Sequence, residues 1–296
     1  MSTFPTDRAG PPSTWPTPPS PRGSWCSWPS RSCARKRRRT VHPILFQIGD
    51  FAVGTYGILL ALSALAALGL GRMLSPRVDL DPERVTDLFV YSLLSAFVGA
   101  KVALVIGDFR AFSADPVGYL LENLRSFGAF YGGFLCAAGV AAYYLRRHGI
   151  PFWPAADVTA VCLSLGQAMG RWGCFFAGCC YGKPTDLPWG LVFPAVPTCS
   201  DGTHIHPWPI YESLADLAIF AVLWRLFHRK GLPGRVFLAY VLLYGTARFF
   251  LEFLRGDSLR GLYFGDALSL SQIVALGAVA AAGAAWAFRR ARSREA

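Results

Sequence analysis

Residues 156–182 read ADVTAVCLSLGQAMGRWGCFFAGCCYG, a membrane-length apolar run that closes on Arg171 and three cysteines, Cys174, Cys179 and Cys180. An arginine near the end of such a run is costly to insert unless it meets an anion or a carboxylate, so it marks a functional position. The stretch points to a membrane enzyme or transporter that acts on something anionic.

Further apolar runs of about 18–25 residues, long enough to cross a bilayer, lie near 48–71, 88–107, 127–145, 209–227, 235–254 and 263–288. With 53% hydrophobic residues and a mean hydropathy of +0.35, the 296-residue chain reads as an all-α, polytopic membrane protein with about seven transmembrane helices.

The net charge of +11 suggests nucleic-acid binding until it is divided along the chain. Residues 1–40 carry eight Lys/Arg and one Asp, which leaves only +4 for everything after them. No nucleic-acid partner is expected. This Pro-, Ser- and Arg-rich stretch has no apolar period and cannot offset its ordering entropy, so it is expected to be a disordered basic tail. It lacks the apolar centre of a secretory signal. Two readings stand: a solvated extension, or a segment that is not translated because synthesis starts at Val41. Residues 41–296 then form a single membrane domain.

Basic residues mark cytoplasmic loops. Arg72, Arg77, Arg84, Arg146, Arg147, Arg225, Arg229, Lys230, Arg235, Arg289, Arg290, Arg292 and Arg294 fall on one side, against Arg110, Arg125, Lys183, Arg255 and Arg260 on the other. The expected orientation puts the C-terminus in the cytoplasm and the loop of about residues 179–208 outside. The basic tail argues the reverse, a second reason to set it aside.

Arg248 and Glu252 stand i, i+4 on the sixth expected span, so they share a helix face and can pair. Either the pair only stabilises the helix, or the carboxylate holds an arginine aimed at a phosphate. Arg255 follows one turn further, where it either snorkels to the interface or meets a ligand. Glu212, just inside the fifth span after His206-Pro207-Trp208-Pro209, is either a helix-dipole partner or an acid facing the same cavity as Arg171 and Arg248. Trp153, Trp189 and Trp208 suit the interfacial aromatic belt. Cys136 and Cys162 read as small apolar core residues.

Thr55-Tyr56-Gly57, Phe130-Tyr131-Gly132-Gly133, the block from Gly170 to Gly182, His206 to Glu212, and Tyr244 to Arg255 together resemble the prolipoprotein diacylglyceryl transferase family, in matching order over about residues 44–288. The resemblance implies a bacterial inner-membrane enzyme without metal or organic cofactor. Its implied substrates are phosphatidylglycerol and the signal-peptide region of a prolipoprotein. A cysteine thiolate of the prolipoprotein attacks the glyceryl carbon, and glycerol phosphate leaves. Arg171, Arg248, Glu252 and Tyr131 are then the implied catalytic residues. Tyr56, Gly132, Gly133, Gly182, Tyr211, Glu212 and Arg255 are the implied substrate-binding ones.

The chain departs from the family pattern at instructive places. Cys174 and Ala177 replace two asparagines, Cys179 replaces a glutamate, Tyr131 replaces a histidine, and Lys101 stands where an arginine is often found. Two rival readings follow: a non-catalytic lipid-binding paralogue, or a periplasm-facing thiol oxidoreductase. For Cys174, Cys179, Cys180 and Cys199 the spacing matches no standard zinc signature, and a disulfide from Cys199, buried thiols, a metal site and a reactive thiol all remain open.

Overall fold

The computed structural model describes residues 44–48, 51–123, 130–192, 203–229, 231–256, 262–263 and 268–295. The expected tail at 1–40 and Cys199 lie outside the described residues. A short antiparallel hairpin, β1 (Ile44–Ile48) with β2 (Phe51–Gly54), leads into α1 (Thr55–Leu74). The first span, expected from residue 48, therefore starts at Thr55. Apolarity alone does not separate a strand from a helix, and here the extended Gly54 sets the helix start.

After a 3₁₀ turn, α2 (Pro82–Gly107) opens on a cap in which Asp81 accepts a hydrogen bond from the Glu83 backbone N–H at 2.9 Å, with Pro82 at the first helical position. Short helices α3 (Phe109–Ala114) and α4 (Pro116–Asn123) precede α5 (Phe130–Arg147) and α6 (Phe152–Ala177). Then come α7 (Trp208–Phe227), α8 (Arg235–Glu252), the paired two-residue strands β3 (Leu262–Tyr263) and β4 (Leu268–Ser269), and α9 (Leu270–Glu295). The last span, expected at 263–288, thus begins at Leu270, because Leu268 and Ser269 just before it pair as a strand with Leu262 and Tyr263.

Among the described residues, three helical segments are both long and apolar enough to cross a bilayer: Thr55–Val78, Pro82–Gly107 and Leu270–Arg292. The chain is a mostly helical membrane protein. Large apolar side chains such as Leu65, Val98, Ile106 and Phe134 stand exposed on the helix surfaces, as a lipid-facing surface requires.

Helix α6 is the hub. It packs against α1, α7 and α8, while α9 covers α8 and α5 lies chiefly along α2. In lipid, apolar side chains gain little from leaving their surroundings, so close backbone approach and polar bonds hold helices together. The α2–α5 contact uses the first means: a Cβ on Gly99 would meet Cys136 Cβ at 2.4 Å and the Gly132 carbonyl at 2.8 Å, and one on Gly133 would meet the Ala96 carbonyl at 2.8 Å. Cys136 itself is exposed, a correction to its reading as a core residue; only Cys162 is buried as expected. The α6–α8 contact uses the second. Buried Asp157 on α6 accepts hydrogen bonds from the backbone N–H groups of Gly234 at 2.6 Å and Phe237 at 2.8 Å, capping α8 from a neighbouring helix.

Candidate functional site

The indole of Trp208 organises the site. It is fully buried, which corrects its expected place in the interfacial belt, and its Nε1 donates to the Leu251 carbonyl at 2.8 Å. The guanidinium groups of Arg171, Arg248 and Arg255 sit over it at 5.3, 5.0 and 4.8 Å from the ring centroid. Each distance falls within cation–π range.

Two carboxylates hold the three cations. Glu212, 2% exposed, accepts from Arg171 Nη2 at 2.8 Å and lies 3.8 Å from Arg248 Nη1. Glu252 pairs with Arg248 at 3.0 Å across the expected i, i+4 spacing and lies 3.9 Å from Arg255. Glu252 is held in turn by the hydroxyl of Ser269, the last residue of β4, which donates at 3.1 Å. Buried ions need such satisfaction, because desolvation otherwise exceeds their attraction.

Several atoms in this cluster keep unused hydrogen-bonding capacity. Among the described residues, Arg248 Nη1, Glu212 Oε2 and Asp216 Oδ2 are buried without a hydrogen-bond partner. Asp216 lies one turn below Glu212 on α7 and within electrostatic reach of Glu212, Arg171 and Arg248. The sequence reading missed it, although its i+4 spacing from Glu212 is the same signal that singled out Arg248 and Glu252.

The loop after α6 completes the site. Gly178 ends the helix in the left-handed region at φ 70°, with the Cys179 N–H bonded to the Cys174 carbonyl at 3.1 Å, a usual glycine termination. Cys180 is also left-handed at φ 57°, costly without glycine, and the two turns fold the chain so that the sulfurs of Cys174, Cys179 and Cys180 lie within 4.8 Å of one another. Hydrogen bonds from the Cys174 and Cys179 thiols hold the Cys180 thiol well below the usual range, and the nearby Arg255 and Arg171 add to the effect.

Gly182 knits this loop to the end of α8. Its N–H donates to the His206 carbonyl at 3.1 Å and the Lys183 N–H donates to the Leu254 carbonyl at 2.8 Å, while Gly256 N–H reaches the Tyr181 carbonyl at 3.0 Å. A Cβ on Gly182 would meet His206 Cβ at 2.5 Å and its carbonyl at 2.7 Å. Only glycine fits where two backbones come this close.

The expected residues divide accordingly. Arg171, Arg248, Glu252, Glu212 and Arg255 converge on Trp208, with Gly182 as the backbone junction beside them. Tyr56, on α1, packs against Gly173 and lies within electrostatic reach of the three cysteines and Arg171. Tyr211 borders the site through the loop: its hydroxyl accepts from Trp189 Nε1 at 2.8 Å and bonds His206 Nδ1 at 3.1 Å. Tyr131 is 43% exposed at the start of α5, with its ring against Phe130. Gly132 and Gly133 face α2. Lys101 donates to the Asn123 carbonyl at 2.6 Å.

The family described as prolipoprotein diacylglyceryl transferase matches residues 43–288. The chain is 35% identical over 264 residues to the phosphatidylglycerol–prolipoprotein diacylglyceryl transferase of Nostoc sp., covering 84% of this chain and 90% of that protein. It is 36% identical over 261 residues to the protein of the same name from Gloeobacter violaceus, with coverage of 86% and 96%. To that of Clostridium tetani it is 34% identical over 236 residues, with coverage of 79% and 92%.

Proposed function

Because the chain belongs to the prolipoprotein diacylglyceryl transferase family, we propose that it transfers diacylglyceryl from phosphatidylglycerol to the cysteine thiol of prolipoproteins, and that Arg171 and Arg248 bind the phosphate that departs. The observation that carries the assignment of the site is the convergence of both guanidiniums on Glu212 and Trp208, with Arg248 Nη1 still lacking an acceptor. A phosphate oxygen supplies that acceptor.

The reaction breaks a carbon–oxygen bond to phosphate while a thiolate sulfur bonds to the glyceryl carbon. Negative charge grows on the leaving oxygen, and pre-placed cations in a water-poor site stabilise it without reorganising. Glu212 and Glu252 keep the arginines pointed inward and limit their mutual repulsion. Arg255 contacts the headgroup from the rim, and Tyr56 and Tyr211 offer hydroxyls to it. Tyr131 stands exposed at the start of α5, and Gly132 and Gly133 press that end of the helix against α2.

In this reading residues 41–296 form the transferase domain, with seven spans formed by α1, α2 and α5–α9. It lies in the bacterial inner membrane with its C-terminus in the cytoplasm, and it recognises the signal-peptide region of its protein substrate. The test is rescue of a bacterial strain depleted of its own transferase. Growth with lipidated prolipoprotein supports the assignment. Stable membrane expression without lipidation contradicts it and favours a lipid-binding paralogue.

A further inference from the structure

We propose that Cys174, Cys179 and Cys180 form a three-thiolate site for a thiophilic divalent cation of the zinc class, with one coordination position open to the thiol of the incoming substrate cysteine. The first support is geometric. All three sulfurs lie within 4.8 Å of one another, and three thiolates around tetrahedral zinc at about 2.3 Å stand roughly 3.8 Å apart. Closing that gap takes side-chain rotation rather than a new backbone path, because the two left-handed residues Gly178 and Cys180 already gather the sulfurs.

The second support is stoichiometric and electrostatic. Among these three cysteines a disulfide leaves one thiol unmatched, whereas a metal takes all three. Three thiolates around a divalent ion carry one net negative charge, and the Arg255 guanidinium stands ready for it, donating to Cys180 Sγ at 3.8 Å. Thiolate ligands select soft or borderline cations over magnesium or calcium.

Three protein ligands with a vacant fourth position is the arrangement of working zinc sites, whereas structural sites are closed by four. This part of the inference rests on the transferase reading, in which the acceptor is itself a thiol. A thiol that coordinates the cation loses its proton to solvent. Its sulfur then forms the carbon–sulfur bond as the carbon–oxygen bond breaks, and the electron pair leaves with glycerol phosphate toward Arg171 and Arg248. The thioether product is a weaker ligand and departs.

The test uses the full-length protein in detergent under reducing conditions, titrated with Cd²⁺ and followed by the thiolate-to-metal absorption band. The expected result is one ion per chain and protection of Cys174, Cys179 and Cys180 from maleimide in the unaltered protein. Binding should weaken by at least about tenfold in Cys179→Ser and Cys180→Ser and stay unchanged in Cys162→Ser. A lipoprotein-type peptide should shift the band, and its Cys→Ser form should not. Absence of stoichiometric binding, unaltered binding in Cys179→Ser, or indifference of the band to the cysteine peptide would each overturn the proposal. None of these readouts needs turnover, so a failed rescue of the depleted strain bears on the transferase reading alone.

Discussion

The α2–α5 pair and the α6–α7–α8 corner solve the same problem by opposite means. Both must hold helices together in lipid, where burying a leucine against a neighbour gains almost nothing. The first removes side chains, so that Gly99, Gly132 and Gly133 let backbones touch. The second inserts charges and satisfies them, with three arginines and two glutamates around one indole. Close approach of backbones is stable but chemically mute. A charged corner is expensive to hold, and its unused N–H is what a ligand can exploit.

If that contrast holds, the largest effect comes from removing a counter-charge at the corner. Glu212→Ala removes a buried carboxylate shared by the partly buried Arg171 and Arg248, and breaking such a pair costs about 3–5 kcal/mol. Little folded protein should survive detergent extraction, as read by size-exclusion chromatography. Glu212→Gln should retain more.

The glycine side of the comparison is sharpened by Gly99→Ala, which forces α2 away from α5. Overpacking of this kind costs about 1–3 kcal/mol, so the midpoint of thermal unfolding in detergent should fall. Transfer per folded molecule should not change, since the substitution leaves the arginine corner alone. A selective loss of turnover at normal stability would erase the distinction between the two regions.

A smaller effect is expected at Asp157, which joins α6 to α8 at the far end of the same bundle. Asp157→Ala removes two hydrogen bonds to backbone N–H groups, and loss of a helix cap costs about 0.5–2 kcal/mol. Thermal unfolding in detergent should shift downward, with the transfer rate of the folded fraction kept.

How much of this is legible in the chain follows the same division. Hydropathy places the long helices to within several residues, but it absorbs strand residues such as those of β2 and β4 into spans and gives no sign of the short helices α3 and α4. The Arg248–Glu252 pair is readable because i, i+4 spacing is local. The Arg171–Glu212 bond joins residues 41 positions apart, so its existence depends on how α6 meets α7. Trp208 misleads because a tryptophan beside prolines at a span end has the same local signature whether it faces lipid headgroups or lies beneath three guanidiniums. Asp157 gives no local signal, since its partners are backbone amides of another helix. The gathering of three sulfurs depends on Cys180 adopting a left-handed conformation, a choice that local preference argues against.

Engagement of the departing phosphate by Arg248 is open to direct measurement: transfer of labelled diacylglyceryl to a prolipoprotein peptide, in membranes matched for expression of the unaltered protein, Arg248→Ala and Arg248→Lys. Removing one charged donor to a developing anion slows reactions by about 10²–10³-fold. A lysine does not reproduce a guanidinium that must reach Glu212, Glu252 and a phosphate at once. The expected result is a loss of that size for Arg248→Ala and little recovery for Arg248→Lys, with both proteins folded. Transfer at the unaltered rate in Arg248→Ala would contradict a phosphate-binding role for this arginine.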